Sequence, residues 1–357
     1  VAGKRSARGE QHQPDQDDLA QTLLLNDWWP ETAHQVPRSD VSQAAFGAID
    51  VHSHVYTENA QEVDKVVQMM DQVGVEKRIV LTGADGEEFE SLKERYAKYP
   101  DRFELWCDLD FSGHQEDGWV KETVAALERC ADMGAGGIGE VHDKGKGLSP
   151  TLDPEAQMHP NDPRMDPIFE TLAELDMPIN IHIAEPIWMY LPMDSTNDGL
   201  MRAHTWHVQD QDVTVSHSDM IDIMAETLER HPNTTFIACH MMNLNNNLDR
   251  LAGLMDEYPN LYLDIGARFS EFGTIPRHAA EFFTEYQDRI LYGTDYGFEV
   301  FGQVDDVNGD HSTLAEMYRM TFRVLETTDD HFYMHDLLGY RWPLYGLGLS
   351  DQVLEKI

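Results

Sequence analysis

Short apolar runs alternate with amphipathic stretches along most of the chain. Near-continuous apolar runs, typical of parallel strands covered on both faces, predict strands at residues 48–55, 76–81, 103–109, 137–141, 178–184, 235–240, 261–265 and 289–293. Apolar positions with helical spacing predict helices at residues 60–73, 87–98, 120–133, 167–175, 220–230, 248–258, 277–287 and 314–327. This alternation favours the α/β class, as a (β/α)₈ TIM barrel rather than an open sheet.

The first part of the chain lacks this alternation. Residues 1–45 are polar without a sustained period, and they are interpreted as an N-terminal arm that precedes a barrel domain at residues 46–357. The apolar cluster of Trp28, Trp29 and Pro30 is unusual for a solvated arm. It predicts that this part of the arm is docked on the barrel domain.

Two long connections interrupt the barrel pattern. They cover residues 142–162 after strand four and residues 185–216 after strand five. Loops that follow barrel strands lie on the face that carries active sites, so we expect both connections near the site. An aromatic-rich segment at residues 333–349 is interpreted as a cap added after the last helix.

The charge of the chain argues against two kinds of binding partner. The 357 residues include 65 acidic and 26 basic side chains, which gives a formal net charge of -39. Such a surface repels phosphate backbones and anionic membranes, so neither nucleic acid nor a membrane is expected as a partner. An acidic solvated shell is typical of proteins from salty environments. We expect a soluble protein, either exported to the periplasm or cytoplasmic in a salt-adapted bacterium, and a homo-oligomer is compatible with this sequence.

The strongest chemical signal lies at the end of the first strand, where His52 and His54 are separated by one residue. Because residues i and i+2 of a strand face the same side, both imidazoles should point into the barrel mouth. Other titratable residues stand at the ends of later strands: His182, His240 and Asp295. These positions are costly for such side chains unless they are paired or bind a metal. The set predicts a divalent-metal site on the catalytic face.

These motifs resemble the ordered motifs of the amidohydrolase superfamily. They are Ile-Asp-Val-His-Ser-His at 49–54, Ile-His at 181–182, Cys-His at 239–240 and Leu-Tyr-Gly-Thr-Asp at 291–295. Flanking segments, including Gly-Leu-Gly-Leu at 346–349, are similar to the amidohydrolase-related branch. That branch contains lactonases, small-acid hydrolases and metal-dependent decarboxylases. The resemblance extends from about residue 47 to the end of the sequence.

The resemblance implies roles for individual residues. His52, His54 and His182 would bind the metal, and Asp295 would bind it and also take a proton from water. His240 would either coordinate a second metal or polarise the substrate. Three histidines with carboxylates suit zinc first and manganese next, as one or two ions.

Two further side chains each have two interpretations. Glu140 stands on strand four, where this branch often carries lysine. Its Gly-Glu motif is similar to that of TatD-like deoxyribonucleases, which implies a carboxylate that bridges two metals; otherwise it orients a histidine. Direct ligation is the favoured hypothesis. Arg268 either binds a substrate carboxylate through its planar guanidinium or pairs with a surface acid.

The favoured function is a metal-dependent hydrolase that uses a metal-activated water to cleave a C–O or C–N bond of a small ester, lactone or amide. The first alternative is a non-oxidative decarboxylase of the same branch, which needs a chelating acid and no attacking water. The second is a non-catalytic barrel that binds a metal or ligand. A proton-accepting Asp295 argues against this second alternative, because a pure binder does not require it.

Overall fold

The computed structural model describes residues 21–55, 57, 59–204, 206–297, 312–335 and 340–357, so residues 1–20 of the predicted arm lie outside the described residues. Strands β1 to β8 are Ala48–His54, Val75–Leu81, Phe103–Trp106, Ile138–Asp143, Ile179–Ile183, Phe236–Ala238, Leu261–Asp264 and Ile290–Leu291. Helices α1 to α11 are Ala60–Val73, Gly86–Tyr96, Trp119–Asp132, Asp166–Glu174, Leu200–Ala203, His217–Arg230, Leu248–Glu257, Phe269–Phe272, Pro276–Glu285, Ser312–Glu326 and Asp351–Leu354.

The strands follow the order of an α/β barrel. They form a three-stranded parallel sheet, β1-β2-β3, and a five-stranded parallel sheet, β4 to β8. Single parallel bridges connect the two sheets, one from Cys107 to Ile138 and one from Ser53 to Tyr296. Pairing therefore passes around the ring, and among the described residues each of these two connections is a single bridge and not a continuous ladder. The predicted fold class is confirmed.

Helix α1 illustrates how local sequence sets the element boundaries. At its start the Asn59 side chain accepts hydrogen bonds from the backbone N–H groups of Gln61 and Glu62. Gly74 ends the helix with a φ of 77°, a left-handed conformation in which a Cβ atom would be unfavourable. The buried face between these caps consists of Val63, Val66, Val67, Met69, Met70 and Val73. Among the described helices, none combines the length and apolar character needed to cross a membrane.

Several strand boundaries differ from the predictions because the backbone makes other hydrogen bonds there. Strand β6 ends at Ala238, two residues early, since Cys239–Asn243 forms a tight turn. Strand β8 covers only Ile290–Leu291. The residues after it bond to β1 instead, and Val51 donates its N–H to the Tyr292 carbonyl at 2.9 Å. Strand β4 continues to Asp143, two residues beyond its predicted end.

The described part of the arm docks on the C-terminal cap. This cap contains an antiparallel pair of strands, β9 (Phe332–Met334) and β10 (Tyr340–Leu344). The Trp28 ring lies 5.1 Å from the Trp342 ring, and the Arg341 guanidinium lies 3.9 Å over the Trp29 ring. The docking predicted from the tryptophan pair is therefore confirmed.

Asp50 is a fully buried carboxylate that ties β1 to the segment after β8 and to α10. Its Oδ1 accepts a hydrogen bond from the Thr294 N–H at 3.0 Å. Its Oδ2 accepts from the Thr294 hydroxyl at 2.7 Å and from the Tyr318 hydroxyl at 2.6 Å. A buried carboxylate is costly without such partners, so these bonds hold the segment after β8 against β1.

Tyr318→Phe should lower the free energy of unfolding by about 1.5–3 kcal/mol, because it removes a hydrogen bond to a buried charged acceptor. Tyr286→Phe is the matched control, since the Tyr286 hydroxyl bonds at 3.0 Å to the exposed Asp256. For this control we expect a loss of about 1 kcal/mol or less. Urea unfolding of both variants measures the difference. Equal losses would show that burial of Asp50 does not strengthen its bond to Tyr318.

Candidate metal centre

The side chains selected from the sequence as ligands converge at the C-terminal ends of the strands. They are His52, His54, Glu140, His182, His240 and Asp295. They form two groups whose ligand atoms lie within 4.8 Å of one another, and Glu140 belongs to both. The His54 side chain is 23% exposed whereas that of His52 is 0% exposed, so the cluster opens to solvent on the His54 side.

The first group combines the two histidines of β1 with two carboxylates. Oδ1 of Asp295 lies 3.3 Å from His52 Nε2 and 3.1 Å from His54 Nε2. Oε2 of Glu140 lies 3.6 Å and 3.4 Å from the same two nitrogens. Two ligand atoms bound to one tetrahedral ion at about 2.0–2.2 Å are separated by about 3.3–3.6 Å. The spacing of this group therefore fits a shared divalent ion.

The tautomer of His52 supports the same conclusion. Its Nδ1 lies 2.9 Å from Asp264 Oδ2, so Nδ1 carries the proton and donates it to that carboxylate. When the ring is neutral, as a metal ligand must be, its lone pair is on Nε2, which is buried and has no hydrogen-bond partner among the described residues. This lone pair faces Glu140 and Asp295. Lone pairs and carboxylates repel each other, and a cation among them removes that repulsion.

In the second group, two histidine nitrogens lie near the other carboxylate oxygen of Glu140. Its Oε1 is 2.7 Å from His182 Nδ1 and 3.4 Å from His240 Nε2. The Nδ1 of His240 lies 2.8 Å from the Gly266 carbonyl and donates to it, which leaves the Nε2 lone pair directed at Glu140. The family resemblance groups His182 with His52 and His54, whereas in the structure its ring lies 4.7 Å from that of His240. The two oxygens of Glu140 thus face different histidine pairs.

The charges of the first group favour a cation. Burial lowers the pKa of His52, but Asp264, Asp295 and Glu140 outweigh burial and raise this pKa well above its usual value. Burial is likewise outweighed at His54, where hydrogen bonds to Asp295 and Glu140 raise the pKa to about 9. Burial raises the pKa of both carboxyl groups, yet the neighbouring histidines bring it below its usual range. Both carboxylates therefore stay ionised.

His240 is affected in the opposite direction. Burial lowers its pKa, and the nearby Arg268 charge lowers it further. Its imidazole consequently stays neutral and keeps a lone pair. Arg268 itself is 4% exposed, and burial lowers the pKa of its guanidinium.

Asp264, at the end of β7, accepts hydrogen bonds that fix residues of the cluster in place. No role was predicted for it from the sequence. It is fully buried. Its Oδ2 accepts hydrogen bonds from His52 Nδ1 at 2.9 Å and Asn180 Nδ2 at 3.0 Å. Its Oδ1 accepts from the N–H groups of His240 at 3.1 Å and Gly266 at 3.0 Å. A charged residue that ends an apolar strand is the signal that identified Asp295, and it could have identified Asp264.

Arg268 lies beside the second group, and its hydrogen bonds do not go to a surface acid. Its Nε and Nη2 donate to Asn243 Oδ1 at 3.1 Å and 2.5 Å, and its Nη1 donates to the Ala267 carbonyl at 2.9 Å. No sequence signal identified Asn243. A cavity of about 230 Å³ adjoins the site on the side of Glu140, and Phe111 is among its lining residues. This volume suits a small molecule.

The chain belongs to the amidohydrolase family, because the model of this family matches residues 49–357. The family consists of metal-dependent enzymes that act on small molecules. The resemblance inferred from the motifs is confirmed, and the arm before residue 49 lies outside the match. The chain matches no curated protein.

Solved structures of enzymes with different reactions are similar to this chain. One is a 2,6-dihydroxybenzoate decarboxylase complexed with 2,6-dihydroxybenzoate, with 20% identity, a TM-score of 0.47, and coverage of 78% of this chain and 98% of that one. Another is 4-oxalomesaconate hydratase from Rhodopseudomonas palustris, with 14% identity, a TM-score of 0.46, and coverage of 77% and 93%. A third is the Metarhizium anisopliae IDCase, with 12% identity, a TM-score of 0.49, and coverage of 87% and 94%. None of these similarities decides the reaction of this chain.

Asp264→Asn should weaken metal binding about 10- to 100-fold, because an amide offers one acceptor oxygen where the carboxylate offers two, and the His52 ring loses its orientation. Asp143→Asn is a matched control. Asp143 is also fully buried and also contacts a histidine, with its Oδ2 2.5 Å from His159 Nδ1, but it lies outside the candidate ligand groups. Competition with a chelator measures both affinities. A similar loss in the two variants would contradict a specific role for Asp264.

Proposed function

We propose that the protein is a metal-dependent hydrolase that cleaves a C–O or C–N bond of a small ester, lactone or amide. The observation that carries this proposal is the position of Glu140 between two histidine pairs. Its Oε2 lies 3.4 Å from His54 Nε2, and its Oε1 lies 2.7 Å from His182 Nδ1. A carboxylate shared in this way is typical of hydrolytic centres that hold two metal ions.

The ligands proposed for each ion follow from the two groups. The residues proposed for the first ion are His52, His54, Glu140 and Asp295, and those for the second are Glu140, His182 and His240. Zinc suits these nitrogen and oxygen donors first, and manganese next. A divalent ion in such a site acts as a Lewis acid and lowers the pKa of water toward neutrality.

Asp295 is the residue proposed to move the proton. Its Oδ1 faces the two histidines of β1, whereas its Oδ2 lies 3.8 Å from His240 Nε2, on the side of the second group. One oxygen can therefore remain a ligand while the other accepts a proton from the attacking water and returns it to the leaving group. His240 donates a hydrogen bond from Nδ1 to the Gly266 carbonyl, and its Nε2 faces Oδ2 of Asp295.

A non-oxidative decarboxylase is the second candidate function. The buried guanidinium of Arg268 favours it, because a cation next to the ligand groups suits a substrate with a carboxylate. Decarboxylation requires a chelated acid and no attacking water. A hydrolase acting on carboxylate-bearing esters or lactones would use the same contact with Arg268. Only the products therefore distinguish the two functions.

Asp295→Asn should retain much of the bound metal and lose about 100- to 10,000-fold in turnover, because the amide still offers an oxygen but cannot accept a proton. The assay combines elemental analysis with product analysis on a panel of lactones, esters, amides and hydroxybenzoates. Ring-opened or cleaved products without CO₂ release support the hydrolase. Release of CO₂ from hydroxybenzoates without any hydrolysis would favour the decarboxylase. Turnover equal to that of the wild type would remove Asp295 from proton transfer.

Glu140→Gln should lose one of two bound ions and most of the activity while the barrel stays folded. A neutral amide cannot offset the charge of two cations, so residue 140 could no longer serve as a ligand to both ions. Glu104→Gln is the control, because Glu104 on the neighbouring strand pairs with Lys77 and belongs to none of the ligand groups found among the described residues. Elemental analysis and circular dichroism give the two readouts. A wild-type protein with a single ion, or a Glu140→Gln variant that keeps both, would contradict the shared carboxylate.

A further inference from the structure

The turn after β6 has an unusual backbone. Four consecutive residues, His240, Met241, Met242 and Asn243, have φ values of 58°, 56°, 56° and 49°. The left-handed region costs roughly 1–2 kcal/mol per residue when a Cβ atom is present, and asparagine tolerates it better than most residues. Such a turn persists only where surrounding contacts hold it. Here it begins at a candidate metal ligand and ends at Asn243.

The contacts of the Asn243 side chain define its orientation. The side chain is fully buried. Its Nδ2 donates to the carbonyls of Ile183 at 3.1 Å and Ala184 at 3.2 Å, at the end of β5. Its Oδ1 accepts from Nε of Arg268 at 3.1 Å and from Nη2 at 2.5 Å. Its Nδ2 also lies 3.4 Å from Nε2 of His182, a candidate metal ligand. Because the donors and acceptors differ at the two ends, the amide can make these contacts in only one orientation.

The main chain on the N-terminal side of Arg268 is also held from two directions. The Gly266 carbonyl accepts from His240 Nδ1 at 2.8 Å. The Ala267 N–H donates to the Thr294 carbonyl at 3.3 Å. The backbone that leads into Arg268 is therefore fixed between the turn after β6 and the segment after β8.

This guanidinium retains unused hydrogen-bonding capacity. Of its five N–H donors, three bond to Asn243 and Ala267, and the other two, one on each terminal nitrogen, have no partner among the described residues. The neighbouring acids Glu271 and Glu185 act on its charge but are paired with Arg202 and Lys144. A carboxylate matches two donors on the terminal nitrogens of a planar guanidinium.

We propose that Asn243 is a positioning residue that holds Arg268 so that its two unengaged N–H groups receive a carboxylate of the substrate. The left-handed turn serves to bring Asn243 to this place. The inference rests on the proposed function for the identity of the site, and it narrows the substrate to a small ester, lactone or amide that also carries a carboxylate. Without Asn243, the guanidinium loses two of its three described bonds and can rotate away.

The test measures binding of benzoate and benzamide, two probes of similar shape and different charge, to the metal-loaded full chain by calorimetry. Wild-type protein should prefer benzoate. Asn243→Gly should reduce this preference about tenfold or more, since it removes the support of a bidentate charged contact. Glycine is chosen because it accepts the left-handed backbone, so the substitution removes only the side chain. Asn243→Ser serves as a second variant with the same expected loss.

A double-mutant cycle with Arg268→Gln separates this contact from the attraction between the metal and any carboxylate. In the Arg268→Gln background, Asn243→Gly should have little further effect on the preference, because both changes remove the same contact. Asn260→Ala is the structural control. The Asn260 amide also donates to buried carbonyls, those of His231 at 3.0 Å and Thr234 at 3.2 Å, but it lies at the opposite end of the barrel. It should lose stability without a change in probe preference.

Three results would overturn the proposal: no preference for benzoate in the wild type, a wild-type preference in both Asn243 variants, or full additivity of the Asn243 and Arg268 changes. Failure of the hydrolase proposal would look different. It would appear as missing hydrolysis by the metal-loaded protein, while the preference for benzoate and its dependence on Asn243 would remain.

Discussion

The buried carboxylate of Asp264 is the interaction on which the rest of the site depends. It accepts hydrogen bonds from a ring nitrogen of β1, a side-chain amide of β5 and two backbone N–H groups beyond β6 and β7. A buried charge is costly unless it is compensated in this way. Because the bonds come from separate strands, one residue sets both the ring of His52 and the backbone of His240. The geometry of the ligand groups therefore depends on Asp264.

The second constraint is the concentration of negative charge at the barrel mouth. Asp264, Glu140 and Asp295 all contact histidines within a small volume, and the Nε2 atoms of His52 and His240 both face the latter two carboxylates. This arrangement is unfavourable by itself and becomes favourable around cations. The overall acidity of the chain does not produce it, because surface charges are screened within about 10 Å at ordinary ionic strength.

Arg268 introduces the opposite charge at the edge of this cluster. Asn243 and the Ala267 carbonyl satisfy only part of its hydrogen-bonding capacity. The site therefore combines a position suited to metal ions with one suited to an anionic group, and a small molecule that carries both a reactive carbonyl and a carboxylate would satisfy the two. One barrel and one ligand set support several reactions, so the residues around the metal position, rather than the fold, decide the substrate.

Much of this organisation is determined by the sequence alone. Alternation of apolar strands and amphipathic helices determines the barrel, because each strand must be covered on both faces. The spacing of His52 and His54 places both rings on one side, since side chains alternate along a strand. Asp295 could be located in the same way, as a charged residue just beyond an apolar strand.

Other features were decided only by the tertiary structure. His182 meets His240 and Glu140 because of the relative stagger of neighbouring strands, which no local pattern records. Strand β8 is short because the residues after it bond to β1, which is distant in sequence. Asn243 reaches Arg268 through a left-handed turn that contains no glycine to signal it. In each case the deciding contacts join residues far apart in the chain, and their energies appear only when the barrel brings those residues together.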